Sequence, residues 1–189
     1  MTRRLLGCAA LIGVLVPGLA GAQDINYNYI EGGLALYPGA DDDQDFSGFD
    51  ANGRFAVTHD VFVLGGFQYL TDDIDYTAFH IGGGYRFEIH PDTDMWGGLT
   101  IEYQEFDWPH GFGGGSVDET SIGLRGGVRH RPDQDLELSG ELRIVRGNLD
   151  YVGLRGTIHY SLQDQLGLVG SVDVFDGNLG LIGGVRVSF

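Results

Sequence analysis

Lysine is absent from this chain. All eleven basic residues are Arg, set against 27 Asp plus Glu, for a formal charge of −16. A chain this acidic repels nucleic acid. Cations carried only as planar, permanently charged guanidinium groups point to fixed pairs with carboxylates rather than to a basic binding surface. Cysteine is nearly absent as well: Cys8 stands alone, so no disulfide or thiol chemistry is available downstream of the first residues. Long apolar runs are missing, and the run at residues 5–16 is too short for a membrane-spanning helix. Glycine is plentiful, 33 of 189 residues, but has no three-residue period, which excludes collagen. Hydrophobic residues make up 42% of the chain, too many for a disordered one.

The amino terminus carries the three regions of a secretory signal in order: Arg3 and Arg4, the apolar residues 5–16 ended by Pro17, and the small residues Ala20, Gly21 and Ala22. Residues 1–22 are therefore expected to be a cleaved signal peptide and residues 23–189 a single mature domain. Arg3-Arg4 is a faint twin-arginine feature, and the general secretory route is expected. Leu5-Leu-Gly-Cys8 has the look of a lipoprotein box, yet it comes before most of the apolar run, and no lipidation is expected. Cleavage removes Cys8, Arg3 and Arg4 and leaves nine Arg against 27 acids, a charge of −18.

The rest of the chain alternates with a period of two. Residues 179–189 place Leu179, Leu181, Gly183, Val185, Val187 and Phe189 on one face and Gly180, Ile182, Gly184, Arg186 and Ser188 on the other. An apolar face backed by a small or polar one fits a membrane barrel strand with lipid outside and a polar lumen; a soluble sandwich would alternate similarly with its apolar face inward. Comparable stretches occur at 24–36, 49–57, 61–70, 76–89, 97–104, 117–130, 136–144, 152–160 and 166–174. In the first, Tyr27 and Tyr29 fall in one phase and Ile30, Leu34 and Leu36 in the other, which predicts a bulge or a mixed-phase edge. The third is apolar on both faces except at Gln68. Ten strands, with eight as the alternative, define an all-β, up-and-down antiparallel transmembrane β-barrel.

Parity supports this count. With both termini on the periplasmic side, the turns at 58–60, 90–94, 131–134 and 161–165 share one rim, and the segments at 37–47, 71–75, 107–116, 147–150 and 176–178 share the other. The two longest connections then fall together on the external rim, where long loops belong. Asp176-Gly-Asn178 is a hairpin signal.

The inward phase collects Arg54, Arg86, Arg125, Arg129, Arg143, Arg155 and Arg186 with Asp50, Glu88, Glu102, Glu137, Glu141 and Asp173. In a narrow lumen these side chains should meet as ion pairs, forming either a solid polar plug or a small gated pore. Glycine pairs at 65–66, 82–84, 97–98, 126–127 and 183–184 make room for them and let the sheet curve. Asp41, Asp42, Asp43 and Asp45 form an acidic loop that is either merely solvated or a weak Ca²⁺ or Mg²⁺ site; its spacing is not that of an EF-hand. The six His residues show no pair at metal-ligand spacing, and no cofactor is expected. For catalysis the one cluster worth naming is Ser116 between His110 and the acids Asp118 and Glu119, and its spacing matches no hydrolase motif.

The terminal strand ending on Phe189, with Val185 and Val187 in phase, resembles the assembly signal of Gram-negative outer-membrane proteins. The mature chain as a whole resembles their small barrels, the OmpA and OmpX group. Tyr27-Asn-Tyr-Ile-Glu-Gly-Gly33, Val61-Phe-Val-Leu-Gly-Gly66 and Val185-Arg-Val-Ser-Phe189 resemble the quorum-regulated barrel family of xanthomonads. The resemblance implies an outer-membrane location, lipid and lipopolysaccharide around the barrel, the barrel-assembly machinery as a partner, and a monomer. It implies no activity. Three roles follow as expectations: a structural or surface-interaction barrel, a narrow passive pore, and a lipid-modifying enzyme.

Overall fold

The computed structural model describes residues 25–40, 44–108 and 115–189. The signal segment 1–22, Asp41, Asp42, Asp43 and His110 lie outside them. The described residues form ten strands and no helix: β1 (Tyr29–Ala40), β2 (Gln44–Ala56), β3 (Val61–Thr71), β4 (Asp75–His90), β5 (Thr93–Trp108), β6 (Gly115–His130), β7 (Leu136–Arg146), β8 (Tyr151–Gln163), β9 (Leu166–Phe175) and β10 (Asn178–Ser188). Each pairs with its sequence neighbours, and β1 pairs antiparallel with β10 from Tyr29↔Ser188 to Leu36↔Leu181, closing the barrel. The fold is the ten-stranded up-and-down barrel that the alternation implies. Its β9–β10 connection is the expected hairpin, with Asp176 at φ 46° and Gly177 at φ 90°. The start of β1 and the end of β10 lie on one rim, here called the terminal rim. The connections after β1, β3, β5, β7 and β9 lie on the other, the loop rim.

Which face of each strand turns outward follows from the side chains. Leu99 and Ile122 are 63% and 68% exposed, and Leu34, Phe49, Ile81, Leu154 and Leu181 are exposed beside them. Arg129 at 2% and Asp173 at 0% are among the most enclosed side chains of the molecule. In water this arrangement would be inverted, with charge buried and aliphatic surface exposed. It suits a wall that faces hydrocarbon, where the ladder satisfies the backbone groups and the outer side chains need only be apolar.

Two readings of the sequence require correction. The first strand has no mixed phase: Tyr27, Tyr29, Ala35 and Tyr37 are buried inside, while Ile30, Leu34 and Leu36 are exposed outside. The irregularity of β1 lies instead at its loop end, between Tyr37 and Ala40. The strands are also longer than expected. Tyr37 pairs with Phe46 and Asp107 with Ser116, so much of the predicted 37–47 and 107–116 loops belongs to the ladder, and Asp45 is a strand residue. Asp and Gly read as loop formers, but here a paired partner strand overrides that preference.

Every strand carries one outward glycine: Gly32, Gly53, Gly65, Gly83, Gly97, Gly126, Gly140, Gly156, Gly170 and Gly183. Four strand pairs oppose two of them directly, Gly53↔Gly65, Gly97↔Gly126, Gly140↔Gly156 and Gly170↔Gly183. At the other six pairs the ring steps two residues toward the terminal rim, for example from Gly126, which faces Leu142, to Gly140. Since tilted barrel strands are staggered in register, this stepping holds the ring at one height around the wall.

The ring position and the position beside it have opposite tolerances. A Cβ on Gly183 would meet nothing within 4 Å, whereas one on Gly184 would run into the Gly32 carbonyl oxygen across the closing seam. Gly183→Ala is expected to leave the folded, heat-modifiable band on a gel unchanged or slightly stabilised, by up to about 1 kcal/mol. Gly184→Ala is expected to lose that band. The same behaviour from both variants would contradict the packing of the β1–β10 seam.

Candidate functional site: the charge-filled lumen

Inside the wall, seven guanidinium groups meet seven carboxylates, grouped in neutral sets. Arg125 holds Glu102 through two bonds of 2.8 Å, reaches Glu141 at 3.0 Å, and Glu141 continues to Arg54 at 3.1 Å. Arg155 holds Asp50 bidentately at 3.0 and 2.9 Å, and its Nε lies 3.2 Å from Asp173, which also accepts from Arg143. Glu137 accepts from Arg129 and Arg186, each at 2.9 Å, and Arg186 reaches Glu31 at 2.7 Å. Arg86 lies 3.5 Å from Asp94 and donates to the His59 carbonyl. Arg54–Glu141 and Arg155–Asp50 tie β2 to β7 and β8 across the lumen. Ion pairs with this geometry offset the desolvation of their members, and removing one member leaves its partner buried and unpaired.

The structure brings together twelve of the thirteen charged residues selected from the alternation. Glu88 is the exception. It shares the inward phase, but it stands near the end of β4, opposite Asp94, and is exposed at the terminal rim. Sequence reasoning missed Glu31 and Asp94, since the first strand was read as irregular and Asp94 as a turn residue. It also missed the neutral partners. Tyr37 Oη donates to Asp173 at 2.6 Å, and Gln68 Nε2 donates to Tyr37 Oη at 3.0 Å and to Asp50 at 3.3 Å.

Apolar clusters stop both ends of this ionic layer. At the terminal rim, Ile25 and Tyr27 fold into the lumen against Phe62, Leu64 and Trp96. The Tyr27 ring lies 4.8 Å from that of Phe62, and Arg54 stacks 3.8 Å from the Trp96 ring. At the loop rim, Tyr37, Leu70, Tyr76 and Ile182 pack together with Phe106 and Phe175 beside them. The apolar residues on both faces of β3 were the sequence signal for these stoppers, because Phe62, Leu64 and Leu70 fill the lumen while Val61, Val63 and Phe67 face out. Between the stoppers remain voids of about 40 Å³ and about 20 Å³, both touching His80, Arg125 and Arg155. They hold a few waters at most.

Several of the remaining candidates fall outside the described residues, and the others lie apart from the ionic layer. Ser116 is exposed and faces Asp107 on β5, and His110 lies outside the described residues. His90 Nδ1 is 2.6 Å and His130 Nδ1 3.8 Å from Asp92 Oδ1 in the β4–β5 turn, where the Thr93 hydroxyl holds the Asp92 carboxyl below its ordinary range. Among the described residues no group of three His, Cys, Asp or Glu side chains is arranged to hold a metal ion. Asp45 accepts from the Gly39 amide at 2.9 Å. Val185, Val187 and Phe189 point outward along the seam, and the Phe189 amide donates to the Asn28 carbonyl at 3.0 Å.

These features define a closed barrel of the transmembrane type with a filled polar interior. No family model and no curated protein matches the chain. Solved structures similar to it include the KdgM porin, at 12% identity over 87% of this chain and 99% of that chain, with a TM-score of 0.44. Ail, the attachment invasion locus protein of Yersinia pestis, in complex with the heparin analogue sucrose octasulfate, is similar at 20% identity over 84% and 97%, with a TM-score of 0.45. The beta domain of the Bordetella autotransporter BrkA is similar at 14% identity over 87% and 100%, with a TM-score of 0.46. The fold assignment rests on the ladder itself.

Arg155→Leu should strand Asp50 and cost about 3–5 kcal/mol. In Asp50→Leu/Arg155→Leu both ends of that pair are gone, and the loss should be smaller than for Arg155→Leu alone. Urea titration of the lipid-refolded barrel measures both. A double variant at least as damaged as the single one would contradict the pairing.

Proposed function

We propose that this protein is an integral outer-membrane barrel with a structural or surface-interaction role, its lumen held shut and without catalytic machinery. One observation carries the reading: a neutral, ion-paired lumen with aromatic side chains at both ends and, between them, voids of about 40 Å³ and about 20 Å³. A conducting pore needs continuous water, and the small voids among the described residues between Trp96 and Tyr76 support the closed reading instead. In this reading residues 1–22 direct export, the outward Leu, Ile and Val residues contact lipid and lipopolysaccharide, and the terminal rim faces the periplasm. The strand ending at Val185, Val187 and Phe189 is the part offered to the assembly machinery; its test is the yield of folded protein in the outer membrane after deletion of Phe189.

The loop rim is the face left for interaction. Asp72, Asp73, Asp107, Asp118, Asp150 and Asp176 are all exposed there, and Arg146 is bound to Asp150 at 3.2 Å. A surface of this sign favours cationic partners and is screened by salt.

Purified protein in planar bilayers should give no unitary conductance steps at moderate voltage. The double variant Tyr76→Ala/Phe175→Ala, which thins the loop-rim stopper, should stay silent as well, because the ionic layer beneath is intact. Reproducible channels from the unaltered protein would overturn the reading in favour of a narrow pore.

A further inference from the structure

We propose that residues 25–28 are a built-in occupant of an oxyanion-binding vestibule at the terminal mouth of the lumen. This segment is not part of the barrel wall, since β1 begins at Tyr29. Its carbonyl oxygens nevertheless take the place of an anion: Arg129 Nη2 donates to the Asn26 carbonyl at 2.9 Å and Arg86 Nη1 to the Ile25 carbonyl at 3.3 Å. Three guanidinium groups surround the Tyr27 ring, with Cζ atoms 4.4 Å (Arg129), 5.3 Å (Arg86) and 5.8 Å (Arg54) from its centroid. The negative faces of aromatic rings and carbonyl oxygens both stabilise cations, but more weakly than a multivalent oxyanion does.

The ion pairs here are balanced, but two donors are left over for such a ligand. Glu137 bridges Arg129 and Arg186, Glu141 bridges Arg54 and Arg125, and Asp94 lies beside Arg86. Nη1 of Arg54 and Nη1 of Arg129 are buried and make no hydrogen bond among the described residues. A cavity of about 320 Å³ lined by Asn26, Arg129 and Arg186 opens beside the segment and gives small solutes a route from the terminal rim. The segment itself is tied at its last residue, where the Asn28 side chain accepts from the Ala56 amide at 3.0 Å and its carbonyl from Phe189. Once Ile25 and Tyr27 lift away about that anchor, the arginines face a water-filled pocket that takes phosphate-like oxyanions.

Trp96, buried against this segment, reports on the pocket directly. In a Trp108→Phe background it is the chain's single tryptophan. Its emission should be shielded from both iodide and acrylamide in the parent. Tyr27→Ala should raise iodide quenching about fivefold or more and neutral acrylamide quenching by less than half that factor. Inorganic phosphate at constant ionic strength should suppress the iodide effect. If Tyr27→Ala does not reach the heat-modifiable folded form, Tyr27→Leu keeps an apolar side chain, removes the ring, and should move quenching the same way. A Trp96 that stays shielded, equal factors for iodide and acrylamide, or failure of both variants to fold would overturn the proposal. Each of these outcomes is independent of whether the parent conducts in bilayers.

Discussion

Hydrocarbon offers no hydrogen bonds, and that single constraint organises the molecule. Every amide in the wall must find its partner within the sheet, so the last strand has to return to the first; the register from Tyr29↔Ser188 to Leu36↔Leu181 supplies that return. Closure leaves a narrow interior that water cannot fill well and lipid cannot enter. The polar face of each strand then has to satisfy itself. Guanidinium groups suit the task because each offers several donors in a fixed fork, which one carboxylate can accept as a pair, as Glu102 does from Arg125 and Asp50 from Arg155. The absence of lysine from the chain fits this demand for fixed geometry.

Neutrality inside has a consequence outside. With seven arginines matched by seven acids in the lumen, the excess negative charge of the described residues falls toward the two rims, and the exposed acids of the loop rim are part of it. The lumen is packed and cross-linked like an ionic core, with Tyr27, Phe62 and Trp96 clustered at one end and Tyr37, Tyr76 and Phe175 at the other. Buried ion pairs of this kind contribute less net stability than their number suggests, but breaking one is costly. That asymmetry makes the filling specific, since a shifted register would separate partners such as Arg155 and Asp50 that reach across the barrel from β8 to β2.

Much of this was legible in the sequence. A period of two with Leu, Ile or Val against Arg or Glu assigns both faces of β4, β7, β8 and β10 without ambiguity, and the parity of long and short connections gives the strand count. What escaped was set by contacts between distant residues. Tyr27 and Tyr29 read as part of a bulge or a mixed-phase edge because both phases of the first strand carry apolar residues, whereas the lumen ends need apolar stoppers and only the fold shows where they sit. Tyr37, Phe46, Asp107 and Ser116 read as loop because Asp and Gly surround them; their pairing partners lie in other strands. Glu88 has the right phase but the wrong height. The equatorial glycines were visible as pairs, yet their alignment into one ring depends on the register of all ten strands.

The account's central claim is that one face of each strand meets lipid while the other is sealed from both lipid and bulk water. Spin labels at single introduced cysteines along β8, from Val152 to Tyr160, test it most directly, since residues 23–189 contain no cysteine of their own. Accessibility to oxygen, which dissolves in lipid, and to a water-soluble nickel chelate is measured at each site. The account predicts high oxygen accessibility at 152, 154, 156 and 158 and low accessibility to both reagents at 153, 155 and 157. Nickel reaching 155 and 157 freely would show a water-filled channel, and nickel reaching 154 and 156 would show a wall that faces water; either result would contradict the account.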